Sequence, residues 1–183
     1  MKKRVLLPLA NGFEEIEAVA LADTMRRGGL EVVIAGVDGE TLMGANSVRV
    51  VSDCMIDSVK AADFDMILLP GGYGGTMTLA ENATVQALIK EFDASGKTIG
   101  AICAAPIALD MAGVLKDEYT CYPGVSESVK SSKFVENAIV ESGNVITSRG
   151  PGTAICFGLY IIEKLVNKEK AEAVKSGMLA GYC

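Results

Sequence analysis

Five short runs of unbroken apolar character constrain this chain more than anything else in it. They are Val5–Ala10, Glu31–Val37, Met66–Pro70, Thr98–Ile102 and Val145–Ser148. Continuous rather than alternating hydrophobicity over so few residues is the pattern of parallel strands buried on both faces. Between the runs lie helix-length stretches, predicted at Glu14–Gly28, Met77–Ser95, Ala104–Ala112, Thr153–Val166 and Lys168–Met178. The first ends at Gly28-Gly29, a C-cap signal. Strand and helix in alternation predict a doubly wound α/β sandwich with a mostly parallel central sheet. Two stretches break the rhythm. Glu40–Met55 reads as a β-hairpin turning near Gly44-Ala45-Asn46, and Tyr119–Val140 as a strand with a polar insert, followed by a hairpin through Ser142-Gly143-Asn144.

The 183 residues are expected to form one domain with a sizeable core. Half of them are hydrophobic, yet there is no Trp and few aromatics, so that core must be aliphatic. A net charge of −6 disfavours nucleic acid and anionic membrane surfaces as partners. No apolar run approaches a membrane span, and the apolar N-terminal run is too short for a signal sequence, so a cytoplasmic location is expected. The five cysteines are odd in number and none lies in CxxC spacing. That predicts reduced thiols, with neither a disulfide framework nor a zinc site. The chain contains no histidine. A Cys–His dyad, a Ser–His–Asp triad and a His-ligated metal are therefore excluded, and no metal or cofactor is expected.

In an open α/β sheet the functional crevice lies beyond the carboxyl ends of the strands. Four loops meet that rule: Asn11–Glu17, Pro70–Gly75, the bend at Cys103, and Arg149–Gly152. Cys103 stands between a predicted strand and a predicted helix, with Pro106 suited to the first helical turn. One reading is a nucleophile elbow, with the helix amides favouring thiolate; the other is a buried core cysteine. The loop Pro70-Gly71-Gly72-Tyr73-Gly74-Gly75 lacks both dinucleotide and Walker order. It reads either as a tight turn or as a backbone that approaches Cys103, with Gly72 and Ala104 donating amides to an oxyanion. Glu14 and Glu15 read as first-turn carboxylates complementing the helix dipole. Glu17 differs, standing among Ile16, Ala18, Val19 and Ala20. A carboxyl in apolar surroundings has a raised pKa and suits acid–base work beside a thiolate.

The pieces ANGFEEIEA, LPGGYGG, AICAAP and TSRGPGT, in this order and spacing, resemble the ThiJ/PfpI superfamily, in the branch of the parkinsonism-associated protein deglycase. The resemblance runs from Lys3 to about Lys175. It implies a flavodoxin-like fold similar to class I glutamine amidotransferases, usually as a homodimer. It implies a reactive Cys103 whose sulfur is hydrogen-bonded to the Glu17 carboxylic acid, a site lined by Gly71, Gly72 and Ala104, and a secondary pocket of Glu14, Tyr122, Arg149 and Pro151. The Arg149–Pro151 loop is expected to approach a site across the dimer. The absent histidine removes the protease and amidotransferase activities of similar proteins. What the resemblance leaves is a glyoxalase or protein deglycase acting on small aldehydes or glycated substrates. The alternative is a non-catalytic sensor or chaperone of oxidative stress whose cysteine is oxidised to sulfinate. Two departures stand out. Tyr122 takes the place of a histidine common in relatives, and Asn46 that of a hairpin arginine, with Arg49 nearby out of register.

Overall fold

The computed structural model describes residues 2–183. Five strands occupy the apolar runs: β1 (Arg4–Leu9), β2 (Glu31–Gly36), β6 (Met66–Leu69), β7 (Thr98–Ile102) and β11 (Val145–Ser148). Two more complete the central sheet, β5 (Cys54–Met55) and β10 (Ile139–Ser142). The seven run in the order β10-β11-β7-β6-β1-β2-β5. All neighbours are parallel except β10 and β11, the hairpin expected around Gly143. The other expected hairpin forms from β3 (Thr41–Met43) and β4 (Arg49–Val51), while β8 (Glu118–Tyr119) pairs with β9 (Lys133–Phe134) in the polar insert.

Helices cover both faces, as strands apolar on both sides require. On one face lie α1 (Glu15–Arg27), α5 (Ala154–Leu165) and α6 (Lys168–Gly177), packing Leu21, Met25, Phe157 and Ile161 against Val5, Leu7 and Leu68. On the other lie α2 (Tyr73–Glu81), α3 (Ala83–Ala94) and α4 (Pro106–Ala112), packing Leu79, Ile89, Phe92 and Leu109 against Leu6, Ile67 and Ile99. This is the mostly parallel α/β sandwich that the sequence predicts. No helix among the described residues is long and apolar enough to cross a membrane.

Three expectations need correction. The stretch 77–95 is not one helix: α2 starts at Tyr73, and the chain breaks at Asn82, whose extended backbone ends α2 while its side chain accepts from the Val85 amide to start α3. The helix after Cys103 begins only at Pro106, so Cys103–Ala105 form a turn rather than a first helical turn. The thiols are not all reduced. Cys156 and Cys183 form a disulfide, while Cys54, Cys103 and Cys121 are free. The pair stands 27 residues apart and meets only because α6 folds back along α5, a juxtaposition that local spacing does not encode.

Candidate active site

Cys103 ends β7, where the backbone turns out of the sheet. Its amide still donates to Ser148 O (3.1 Å), continuing the ladder to β11, but its own φ is +65°. That left-handed conformation is costly for a residue with a β-carbon and is characteristic of functional turns. It aims the side chain at the loop after β6. A β-carbon on Gly71 would lie 2.5 Å from Cys103 Cβ and 2.6 Å from Glu17 Oε2. Only glycine therefore lets this loop run between the two side chains. Gly72 adopts φ +85°, and a β-carbon there would lie 2.4 Å from Gly12 O and 2.5 Å from the Glu14 amide nitrogen, so a side chain has no room. The Gly72 and Ala104 amides both point at the Cys103 sulfur. The donors expected from a helix end are thus one turn amide and one from a neighbouring loop.

Glu17 lies on the buried side of α1 and is wholly shielded from solvent. Glu14 caps the helix, its Oε2 accepting from the Glu17 amide at 2.7 Å, and its own amide donates to Gly71 O at 3.0 Å. Cap and loop together place the Glu17 carboxyl over Gly71, whose amide donates to Oε2 at 2.8 Å. Oε1 has no hydrogen-bond partner among the described residues. The carboxyl and thiol face each other across Gly71 and set each other's ionisation, although no bond of full geometry joins Oε1 to the sulfur.

Burial raises the Glu17 carboxyl from 4.5 to about 7 and the neighbouring Glu14 charge adds to this, while Cys103 and the Gly71 amide pull against it. The thiol is pushed up to about 12, by burial first and then by the charge of Glu17 and the contact with it; the Gly72 and Ala104 amides oppose this. Burial and an ionised Glu17 thus favour the thiol, against the thiolate that the amides favour. Two of those upward causes exist only while Glu17 is ionised. A protonated Glu17 removes the repulsion and becomes a donor, so the pair holds one proton between two acceptors over a wide range.

The remaining predicted residues divide. The Tyr122 ring is half-exposed and lies 3.2 Å from the position a β-carbon on Gly150 would take, and that position is 4.0 Å from Glu17 Oε1. Tyr122 also donates its amide to Cys103 O at 3.0 Å. The 149–151 loop thus lines the site of its own chain, through Gly150. Pro151 opens a short turn closed by Thr153 Oγ1 on the Gly150 amide at 3.1 Å. Arg149 is engaged with Glu136 at 2.9 Å. Glu15 keeps its expected place as an acid in the first turn of α1 and takes on a second role. Its carboxylate accepts from the Asn46 amide (2.5 Å), Asn46 Nδ2 (3.0 Å) and the Val48 amide (3.3 Å), fastening the β3–β4 hairpin to α1. Burial would raise its pKa, but these bonds outweigh burial and hold it below the ordinary value. Asn46 is thereby occupied, and Arg49 is exposed on β4.

Sequence reasoning named Gly150 only as part of the Arg149–Gly152 loop, because only the fold brings that position beside Glu17. It gave no role to Cys121. That thiol is fully buried and contacts Tyr119; burial raises its pKa, while Tyr119 and the Arg149 charge oppose the rise.

Fold and site define a class: a doubly wound α/β protein whose elbow cysteine faces a buried carboxylic acid. The profile of the DJ-1/PfpI family matches residues 3–164, and the chain belongs to that family. Protein dj-1beta of Drosophila melanogaster is 39% identical over 186 residues, covering 100% of both chains. Its crystal structure superposes with a TM-score of 0.94 at 40% identity, covering 98% of each chain. The glutathione-independent glyoxalase DJR-1.2 of Caenorhabditis elegans is 39% identical over 172 residues, covering 93% of this chain and 91% of its own. A structure of oxidized Toxoplasma gondii DJ-1 gives a TM-score of 0.92 at 38% identity, covering 97% and 98%. These relatives support a function of DJ-1 type.

Proposed function

We propose that the protein converts small reactive α-oxoaldehydes to hydroxy acids, with Cys103 as nucleophile and Glu17 as the proton carrier. The observation that carries this reading is the buried Glu17 carboxyl, raised to about 7 and facing the Cys103 thiol across Gly71. A carboxyl poised near neutrality both takes and returns protons. With methylglyoxal, the sulfur attacks the aldehyde carbon and the C–S bond forms. The thiol proton passes through Glu17 to the aldehyde oxygen, giving a hemithioacetal. Glu17 then removes the C1 proton, and a proton returned to C2 yields a thioester of lactate. Water releases the acid and restores the thiol, so the sum is methylglyoxal plus water to lactate. The Gly72 and Ala104 amides are positioned to stabilise negative charge beside the sulfur. The C. elegans relative named a glutathione-independent glyoxalase supports the same reading. Purified protein should form lactate from methylglyoxal without added thiol, and Cys103→Ser should form none. Equal lactate from both proteins would remove Cys103 from the chemistry.

A second reading is favoured by those same amides. They are equally suited to hold the oxygens of a Cys103 sulfinate, which would make the protein a sensor or chaperone of oxidative stress. We also propose a second copy of this chain as partner. Ile16 and Val19 on α1, with Val48 and Val51 of the hairpin, are large apolar side chains left exposed in one chain. Sedimentation should then report twice the chain mass of 19.1 kDa; a monomer at all concentrations would exclude the dimer.

A further inference from the structure

The other sulfur chemistry of this chain lies away from Cys103, where α6 returns to α5. Helix α6 ends at Gly177, and Leu179 takes a left-handed φ of +56° that reverses the chain. The reversal is closed by backbone bonds from Leu179 to Ser176 O (3.1 Å) and from Ala180 to Lys175 O (3.0 Å). Ala180 then plugs into the core at 1% exposure, and the Cys183 amide donates to Ala180 O at 3.0 Å. None of these contacts involves sulfur. They bring Cys183 to a Cα–Cα distance of 5.2 Å from Cys156, inside the range a disulfide requires. Backbone and core contacts that do not involve sulfur therefore hold the turn that carries Cys183 beside α5.

Access is the second observation. Cys183 is exposed and Cys156 half-buried. A cleft of about 160 Å³ between α5 and α6 opens onto both, walled by Tyr160, Leu159, Glu163 and Lys175. Tyr182, beside the pair in sequence, is largely exposed. Exposed sulfur is what small thiols and disulfides reach, whereas a buried structural bridge is shielded from exchange.

We propose that Cys156 and Cys183 form a reversible thiol–disulfide site, exchanged with a small-molecule disulfide of the glutathione class and separate from Cys103. In the forward direction one thiolate attacks the small disulfide, giving a mixed disulfide and releasing one small thiol. The second protein thiolate then displaces the other small thiol, closing the Cys156–Cys183 bond. Two protein thiols are oxidised, one small disulfide is reduced, and the two thiol protons leave with the small thiols. Reduced glutathione drives the reverse. The site would tether residues 181–183 to α5 when oxidised and free them from α5 beyond the Ala180 plug when reduced.

The test equilibrates the intact protein, and Cys103→Ser in parallel, in glutathione buffers running from fully reduced to fully oxidised. Free thiols are then trapped with iodoacetamide and the peptides mapped by mass. Cys156 and Cys183 should pass together from two alkylated thiols to one disulfide, at the same buffer ratio in both proteins. Cys183→Ser, changed at an exposed position, should instead leave Cys156 as a mixed disulfide with glutathione. Two alkylated thiols in the fully oxidised buffer would overturn the proposal. So would a disulfide that persists at equilibrium in the fully reduced one, or a midpoint that moves with Cys103→Ser.

Discussion

Glu17→Gln should lower lactate formation by about 10²–10⁴-fold, the span that one positioned acid–base group contributes. Glutamine keeps the shape of the side chain and can still accept from the Gly71 amide, which holds Glu17 at 2.8 Å. It can neither carry the thiol proton to the aldehyde oxygen nor remove the C1 proton of the hemithioacetal, so the rearrangement loses its base. The pH dependence separates this from a packing defect. Below about 7 the Glu17–Cys103 pair holds two protons and has neither base nor thiolate. Once one proton leaves, the pair is competent whichever atom keeps the other. Wild-type kcat/KM should therefore rise through about pH 7 and level off, and the variant's residual rate should lack that inflection. An inflection preserved in Glu17→Gln would assign it to another group.

The same substitution should reverse its sign when stability is measured. The folded-state value of about 7 lies above the ordinary 4.5, so folding favours the protonated carboxyl. The stability this contributes is fully present below pH 4.5 and is lost as pH rises through about 7. At about 1.4 kcal/mol per tenfold change in the acid constant, the loss approaches about 3 kcal/mol for a group wholly shielded from solvent. Glutamine resembles the protonated acid at every pH and escapes the loss. Denaturant unfolding should find the two proteins comparable at pH 5. By pH 8 to 9 the variant should be the more stable, by about 3 kcal/mol. Parallel pH curves would mean that Glu17 stays ionised in the fold and that its burial costs nothing.

Much of this was legible before any coordinate. Strands buried on both faces announce themselves as short apolar runs, and those runs fall within a residue or so of the strand limits. Cys103 and Glu17 were legible for a related reason, since each is a chemically distinctive residue in an otherwise apolar or small-residue segment. What failed was whatever depends on contacts between distant segments. Gly74 and Gly75 lie inside α2 rather than in a turn, and position 75 needs glycine because a β-carbon there would press on the Phe13 backbone at 2.9 Å. Glu15 is the helix-start acid it looked like, but nothing local shows a hairpin more than thirty residues away donating three bonds to it. The Cys156–Cys183 pair depends on how α6 returns along α5. Asn82 is the one miss with a local signal, since asparagine is a favoured N-cap, but apolar spacing continued across it.

The left-handed backbone at Cys103 has an evolutionary consequence. A β-carbon held at φ +65° costs of order 1–3 kcal/mol that glycine would not incur. Selection for robustness alone would therefore drift away from cysteine here, and a stability screen blind to chemistry would enrich glycine. A thiol kept at this bend is kept against that gradient, so position 103 is occupied for what its side chain does and not for how it packs.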